Sequence, residues 1–166
     1  MSVVNDQQAN KLVSELARKL SEQNKTLAVA ESCTGGWLSK TLTDLQGSSE
    51  WFLGSVVSYS NFAKCKLLHV DNSLINEYGA VSKQVVESMA EGVQREFSST
   101  LALSITGIAG PAGGTDDKPV GLVWFAITSS PNKVKSVSYS FEGGRDNVRR
   151  QAVVKGLQLL IKLADE

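Results

Sequence analysis

Short apolar runs alternate with stretches of helical periodicity along this chain of 166 residues, and this alternation restricts its fold more than any other feature. Apolar residues between Ala9 and Leu20 recur every three or four positions, which predicts one buried face of a helix. Residues 26–30 are apolar but too few for a helix, so they predict a buried strand. Strands that alternate with helices pack in layers around a largely parallel sheet. The sequence therefore predicts an α/β protein.

The remaining elements continue the alternation. Further strands are predicted at 55–59, 101–105, 120–127 and 137–141. Further helices are predicted at 37–45, 61–68 and 72–78, after the N-cap Ser82, and from Asp146 or a neighbouring residue. Only the short link at 129–133 joins the last two strands, so that pair is predicted to be antiparallel. The sequence contains no repeat, low-complexity segment or linker, which predicts one domain over residues 1–166.

Charge and composition exclude several classes of function. Lys and Arg number 17 and Asp and Glu also number 17, so binding to nucleic acid or to an anionic membrane through bulk charge is not expected. No signal-type segment or run of about 20 apolar residues occurs, which predicts a cytoplasmic protein with Cys33 and Cys65 reduced. His69 is the only histidine and no metal-ligand set is recognisable, so neither a metal nor a cofactor is expected.

Three unusual segments follow predicted strands, at the point where each strand ends. They are residues 31–36, 59–64 and 106–110. The carboxyl ends of parallel strands form the usual ligand-binding edge of an open α/β sheet. We therefore expect these segments to converge on one site.

Gly35 and Gly36 stand before a predicted helix, where free backbone N–H groups and the helix dipole can hold a phosphate. The alternative is that Thr34 caps the helix and the glycines only form the turn. Neither a Walker loop nor a GxGxxG motif is present. Both interpretations of this turn stay open at the level of sequence.

Arg145 and Arg149 are one helical turn apart and can hold a phosphate or carboxylate between them. Glu142 and Asp146 lie close in sequence, so local ion pairing is the alternative.

Several side chains near these segments are candidate nucleophiles, namely Ser32, Ser48, Ser49, Thr106, Cys33 and Cys65. A nucleophile needs a base within hydrogen-bond reach. His69 follows two leucines and is more typical of a packed or capping histidine. Lys64 is the better base, provided that burial or a nearby cation such as Arg145 lowers its pKa by about two to three units from ~10.4. A solvated lysine is the alternative for Lys64.

Taken together, these segments closely resemble the CinA C-terminal domain family, the nicotinamide-nucleotide amidohydrolases or NMN deamidases. The resemblance extends from Leu12 to Leu160. It rests on the segments AESCTGG (30–36), GSS (47–49), VSYSNFAK (57–64), GAVS (79–82), ITGIAGP (105–111), KPVG (118–121), GRD (144–146) and RRQA (149–152).

The resemblance implies a three-layer α/β/α sandwich with a mixed, mostly parallel five-stranded sheet. It also implies hydrolysis of the carboxamide of nicotinamide mononucleotide to nicotinate mononucleotide and ammonia, a step of bacterial pyridine-nucleotide salvage. Many family members carry an additional N-terminal domain, and this chain resembles the stand-alone form. A catalytically silent nucleotide-binding paralogue and a competence-related interaction domain are the alternative functions.

The resemblance further implies a serine nucleophile and a lysine base. We place the nucleophile at Ser49, the base at Lys64 and an assisting role at Tyr59. However, Ser49 precedes the second strand and Lys64 follows it, and a five-residue strand spans ~17 Å. The two meet only if the chain doubles back or a partner subunit intervenes, so Ser32 is the second candidate for the nucleophile.

Substrate binding is assigned to Glu31, Thr34, Gly35, Gly36, Asn61, Thr106, Gly107 and Arg145. The backbone N–H groups at 35–36 or 106–107 can serve as an oxyanion hole or hold the nucleotide phosphate. A homodimer is possible because Trp51 and Phe52 are candidate exposed aromatics, with core packing as their alternative role.

Overall fold

The computed structural model describes residues 6–129 and 133–166, and its elements follow the predicted alternation. The helices are α1 (Asp6–Glu22), α2 (Trp37–Thr43), α3 (Asn61–Leu68), α4 (Asn72–Tyr78), α5 (Lys83–Phe97) and α6 (Arg145–Ala164). The strands are β1 (Leu27–Glu31), β2 (Phe52–Val57), β3 (Leu101–Gly107), β4 (Leu122–Thr128) and β5 (Val134–Ser140). A 3₁₀ turn at Ser48–Glu50 precedes β2. The predicted link at 129–133 falls largely outside the described residues.

The five strands form one mixed sheet in the order β2-β1-β3-β4-β5. β1 is parallel to β2 and to β3, whereas β4 is antiparallel to β3 and to β5. Four strands therefore point the same way, and the predicted antiparallel arrangement of the last two strands is confirmed. Glu31, the last residue of β1, is paired with Val57 and with Ile105, so the three carboxyl ends meet at one edge.

Helices cover both faces of the sheet and complete three layers. Leu16 of α1 and Leu157 of α6 are buried in the larger core, on the face that also carries α2. Met89 of α5 packs with Leu68 of α3 in a second core on the opposite face. β1 lies between these layers, and its five residues are all buried, as expected of a central parallel strand. Within the described residues, no helix has both the length and the apolar composition to cross a bilayer.

β2 begins three residues earlier than the sequence predicts because a glycine inside it is part of the strand. Leu27 pairs with Phe52 and Ala28 with Gly54, so the register shifts by one residue. Gly54 has φ 151°, and a Cβ atom built on it would lie 2.5 Å from the ring of Phe97. The glycine is therefore required by close packing against α5 rather than by a loop.

The two aromatic residues that suggested a homodimer belong to the core. Trp51 is only 3% exposed, and Phe52 packs against the same core, with the two ring centroids 6.2 Å apart. Among the described aromatic residues, the most exposed are instead Phe62 and Tyr59. The homodimer remains a prediction, but the argument from Trp51 and Phe52 was wrong because both pack inside the chain.

Candidate active site

Lys64 of α3 is the centre of the candidate site, since its side chain is only 1% exposed. Its Nζ atom lies 3.0 Å from Ser32 Oγ, 2.8 Å from the Ser58 carbonyl oxygen and 3.4 Å from the Tyr59 carbonyl oxygen. Burial lowers the pKa of Lys64 from 10.5 to about 8, because the ammonium ion loses solvation by water. A substantial fraction of neutral amine is therefore present near pH 8, as a base requires.

Local hydrogen bonds bring Lys64 and Ser32 to the same edge of the sheet. The Ser32 N–H donates to the Ile105 carbonyl, and this hydrogen bond attaches the turn that follows β1 to the neighbouring strand β3. The chain then leaves β2, and Ser60 caps α3 by accepting a hydrogen bond from the Ala63 N–H. Lys64 lies in the first turn of this helix, so its side chain reaches back over the end of the strand.

A cavity of about 240 Å³ opens beside this pair. Its lining residues are Ser32, Cys33, Tyr59, Asn61, Lys64, Ala80, Val81, Thr106, Gly107, Ala109 and Arg145. Two of them are cations and none is a carboxylate. Arg145, the first residue of α6, donates to the Gly110 carbonyl at 2.9 Å and to Tyr59 Oη at 3.1 Å, which places its guanidinium at the cavity wall. The lining favours a small anionic ligand.

Seven of the predicted site residues line this cavity, and five do not. Those that line it are Ser32, Tyr59, Asn61, Lys64, Thr106, Gly107 and Arg145. Those outside the lining are Glu31, Thr34, Gly35, Gly36 and Ser49. The convergence of the three strand ends thus describes the site better than the glycine turns do.

Ser49 is exposed in the 3₁₀ turn before β2, whereas Lys64 follows that strand. The six residues of β2 separate the two by roughly 20 Å at ~3.3 Å per residue. The chain does not double back, so the serine beside Lys64 is Ser32, and the expected pairing of Ser49 with Lys64 is not made within the chain.

Glu31 is fully buried, and its carboxylate caps α2 instead of facing the cavity. It accepts hydrogen bonds from the N–H groups of Gly36, Leu38 and Ser39 and from the Ser39 hydroxyl. The Gly35 N–H donates to the Ser32 carbonyl. Because both glycine N–H groups are occupied, they are not free to hold a phosphate as predicted.

Thr34 does not cap α2 either, which was the alternative interpretation of this turn. Its Oγ1 atom is buried and has no hydrogen-bond partner among the described residues. The cap of α2 is thus supplied by Glu31, five residues before Gly36.

Arg149 of α6 binds the turn after Ser32 rather than an anion. Its Nε–H donates to the Cys33 carbonyl at 3.1 Å and its Nη2–H to the Thr34 carbonyl at 3.0 Å. The predicted site did not include it, although its place one helical turn after Arg145 was a usable signal. Ser58 was missed because it acts through its carbonyl oxygen, which no side-chain pattern reveals. Local ion pairing, the alternative for this arginine cluster, is made by the neighbouring Arg150, which lies 3.7 Å from Asp146, whereas Arg145 and Arg149 bind carbonyl and hydroxyl oxygens.

Two other candidate groups, Cys33 and His69, are poorly placed to act as a nucleophile or a base. Burial raises the pKa of the Cys33 thiol to about 12, so this cavity residue stays protonated. His69 ends α3 and binds Glu96 at the surface, with 2.9 Å between Nε2 and Oε1. Across residues 6–129 and 133–166, no cluster of three His, Cys, Asp or Glu side chains is arranged to hold a metal ion.

Sequence comparison gives a clear relationship. The model of the CinA C-terminal domain matches residues 9–164. The nicotinamide-nucleotide amidohydrolase PncC of Escherichia coli K12 is 43% identical over 155 residues, which are 93% of this chain and 94% of that protein. A CinA-like protein of Syntrophomonas wolfei is 50% identical over 149 residues, 90% of this chain but 36% of that protein. The chain thus spans about a third of the CinA-like protein and nearly all of PncC.

Solved structures agree with the sequence relationship. The competence/damage inducible protein CihA of Agrobacterium tumefaciens matches with a TM-score of 0.91 and 34% identity, over 94% of this chain and 95% of that one. A CinA superfamily protein of Klebsiella pneumoniae has a TM-score of 0.91 and 31% identity, over 95% and 98% of the two chains. With the sheet order, the site and these matches in agreement, the chain belongs to the CinA C-terminal domain family.

Proposed function

We propose that this chain hydrolyses the carboxamide of nicotinamide mononucleotide to nicotinate mononucleotide and ammonia. The observation that carries the proposal is the 3.0 Å contact between the buried Lys64 Nζ and Ser32 Oγ, at a cavity whose wall includes the cation Arg145. Relatives of nearly the same length bear the name of this activity. The reaction belongs to pyridine-nucleotide salvage, and we propose a cytoplasmic location for it.

In this proposal Ser32 is the nucleophile and Lys64 is the base, so Ser32 replaces Ser49. A neutral lysine amine has two protons and one lone pair. The carbonyls of Ser58 and Tyr59 accept hydrogen bonds from the two N–H groups, which leaves the lone pair directed at the Ser32 hydroxyl. The Ser32 proton then passes to Lys64 Nζ as Ser32 Oγ attacks the carboxamide carbon.

The tetrahedral intermediate collapses when its C–N bond breaks. The departing nitrogen takes the proton from Lys64 and leaves as ammonia, and an ester of Ser32 remains. Lys64, neutral again, takes a proton from water, and the resulting hydroxide attacks the ester. The acid departs and the Ser32 oxygen regains the proton, so one amide and one water yield one acid and one ammonia.

Arg145 and Asn61 are proposed to bind the nucleotide end of the substrate. Arg145 lies in the first turn of α6, whose N-cap residue Gly144 supplies no side-chain hydrogen bond. A phosphate there meets both a guanidinium and the positive end of a helix of 20 residues. Tyr59 is 59% exposed, accepts a hydrogen bond from Arg145 and places its ring at the same cavity. Thr106 and Gly107 form part of the cavity lining.

The test is ammonia release from nicotinamide mononucleotide by the purified chain and two serine variants. Ser32→Ala should lower kcat by roughly 10⁴-fold, because Ser32 Oγ is the hydroxyl that the described residues place in hydrogen-bond contact with Lys64 Nζ. Ser49→Ala is the matched control and should keep kcat within about twofold. Thermal melts confirm that both variants are folded.

Each other outcome has a distinct meaning. If Ser49→Ala is inactive and Ser32→Ala is fully active, the nucleophile is Ser49 and not Ser32. A wild-type chain that binds the nucleotide without releasing ammonia would be a silent paralogue. Neither binding nor turnover would favour an interaction domain.

A further inference from the structure

The turn after Ser32 is held by one cation from α6, which lies on the same face of the sheet as α2. Arg149 contacts two successive carbonyls, those of Cys33 and Thr34, and its guanidinium lies 5.3 Å from the centroid of the Trp37 ring. Gly35 has φ 60°, and a Cβ atom there would lie 3.4 Å from Arg149 Nη2. A glycine at this position lets the guanidinium approach the backbone closely.

The peptide planes show where this contact leads. In a trans peptide the C=O and the N–H point in opposite directions. Arg149 Nε binds the Cys33 carbonyl, whose peptide partner is the Thr34 N–H. Arg149 Nη2 binds the Thr34 carbonyl, whose peptide partner is the Gly35 N–H, and this group donates to the Ser32 carbonyl at 3.0 Å. The peptide partner of the Ser32 carbonyl is the Cys33 N–H.

Two hydrogen-bonded chains of peptides therefore start at one guanidinium and end on adjacent N–H groups, those of Cys33 and Thr34. The Cys33 N–H is near its own sulfur, and in the described part of the chain neither group donates to another residue. These are the first two amides after Ser32, and Ser32 and Cys33 both line the cavity. Hydrogen-bonded chains of this kind polarise one another, which strengthens the terminal donors.

We propose that Arg149 is a positioning residue for amide hydrolysis, which orients and polarises the Cys33 and Thr34 N–H groups as donors to the oxyanion. The proposal rests on the function proposed above. Negative charge develops on the carboxamide oxygen only as Ser32 attacks, so these donors act on the transition state rather than on the bound substrate. The effect of Arg149 should accordingly appear in kcat and not in KM.

The experiment compares Arg149→Gln and Arg149→Lys with the control Arg150→Gln. Arg150 is the next residue of α6, and its guanidinium lies 4.9 Å from the centroid of the Trp37 ring. Arg150→Gln therefore removes the same positive charge from beside the same ring. Arg149→Gln should lower kcat by about 10²-fold, the loss typical of a weakened oxyanion hole, with KM changed less than about threefold. Arg149→Lys keeps the charge but cannot span two carbonyls, so we expect about a tenfold loss. Arg150→Gln should match the wild type.

A second measurement separates positioning from general loosening of the turn. The bound carboxamide of nicotinamide mononucleotide has no developing oxyanion, so the Kd of this substrate, measured with Ser32→Ala added to prevent turnover, should be unchanged by either Arg149 substitution. A damaged cavity would weaken substrate binding and lower kcat together, and that result would overturn the proposal.

The proposal is also overturned if KM rises while kcat stays constant, which would make Arg149 a substrate-binding residue. If Arg149→Gln does not fold, a wild-type kcat in Arg149→Lys overturns it equally. Absence of ammonia release by the wild type would instead refute the proposed function itself.

Discussion

The chain contains two turns rich in glycine and serine, at opposite ends of neighbouring parallel strands. The turn at residues 32–36 follows β1, whereas the turn at 47–49 precedes β2. Both contain glycines with positive φ, 93° at Gly36 and 85° at Gly47. The first is held by the buried Glu31 and by Arg149, while the second has backbone hydrogen bonds at its surface, such as Glu50 N–H to the Gly47 carbonyl.

The two turns are alike in glycine and serine content, but only the turn at 32–36 lies at the carboxyl ends of the strands, beside buried charged groups. Strand direction and buried charge therefore distinguish the candidate site better than composition does. At the carboxyl edge, the Glu31 carboxylate accepts four hydrogen bonds, all from residues at the start of α2. Lys64 is buried nearby without a carboxylate in hydrogen-bond contact, so its charged form is destabilised and it titrates near pH 8. The buried charge of Glu31 is compensated and stabilises the fold, whereas that of Lys64 is not, which makes Lys64 the candidate for the proposed base.

After the loss of the nucleophile itself, the largest expected effect is the loss of the base. Lys64→Met should lower kcat by roughly 10³-fold, because the Ser32 hydroxyl loses its proton acceptor. Lys66→Met, on the exposed side of the same helix, is the matched control and should leave kcat unchanged. Steady-state assays of ammonia release measure both. Equal activity of the two variants would remove Lys64 from the mechanism.

The pH dependence of the wild type should follow the same group. Only the neutral amine accepts the Ser32 proton, so kcat/KM should fall about tenfold per pH unit below a midpoint near 8 and level off above it. A pH–rate profile between pH 6 and pH 9.5 measures the midpoint. The Arg150→Gln variant should share it, because Arg150 contacts Trp37 and Asp146. A flat profile from pH 6 to pH 9.5 would be incompatible with a lysine base.

The cap of α2 should matter more for stability than for chemistry. Glu31→Gln places an amide NH₂ group where backbone N–H groups donate, and should lower the free energy of unfolding by about 2–3 kcal/mol. Glu50→Gln, exposed in the turn before β2, should change it by less than about 0.5 kcal/mol. Urea denaturation monitored by tryptophan fluorescence measures both. Similar losses in both variants would contradict the contrast between the turns.

Much of the fold could be predicted from the sequence because each element has a local signal. The periodicity of α1, the N-cap Ser82 and the short link before β5 required no tertiary information. The convergence of three strand ends followed from the sheet alone, and it brought Ser32 and Lys64 together.

The rest of the site depends on backbone groups and on packing between layers. Residue types do not reveal the hydrogen bond of Lys64 to the Ser58 carbonyl, nor that of Arg149 to the Thr34 carbonyl. The Glu31 carboxylate caps N–H groups that lie five to eight residues further along the chain. Ser49 was preferred because of a short motif, against the length of β2, which already argued for Ser32. For the pairing with Lys64, the length of β2 was a better guide than the motif, because the structure places Ser32 beside Lys64 Nζ.

The smallest expected effects come from replacing one glycine by alanine in each of the two turns. Gly47→Ala introduces a side chain at φ 85° with no heavy atom within 4 Å, so the strain should lower the free energy of unfolding by about 1 kcal/mol and leave kcat unchanged. Gly36→Ala has a similar φ of 93°, but its Cβ atom would lie 3.5 Å from Val57, and its N–H donates to Glu31. The strain there reaches the turn that carries Ser32, so kcat should fall as well. Urea denaturation and ammonia release on the same preparations compare them. A lower kcat in a folded Gly47→Ala variant would contradict this contrast. Residue 47 lies at the opposite end of the strand from Ser32, so such a loss would show that the turn before β2 contributes to the site.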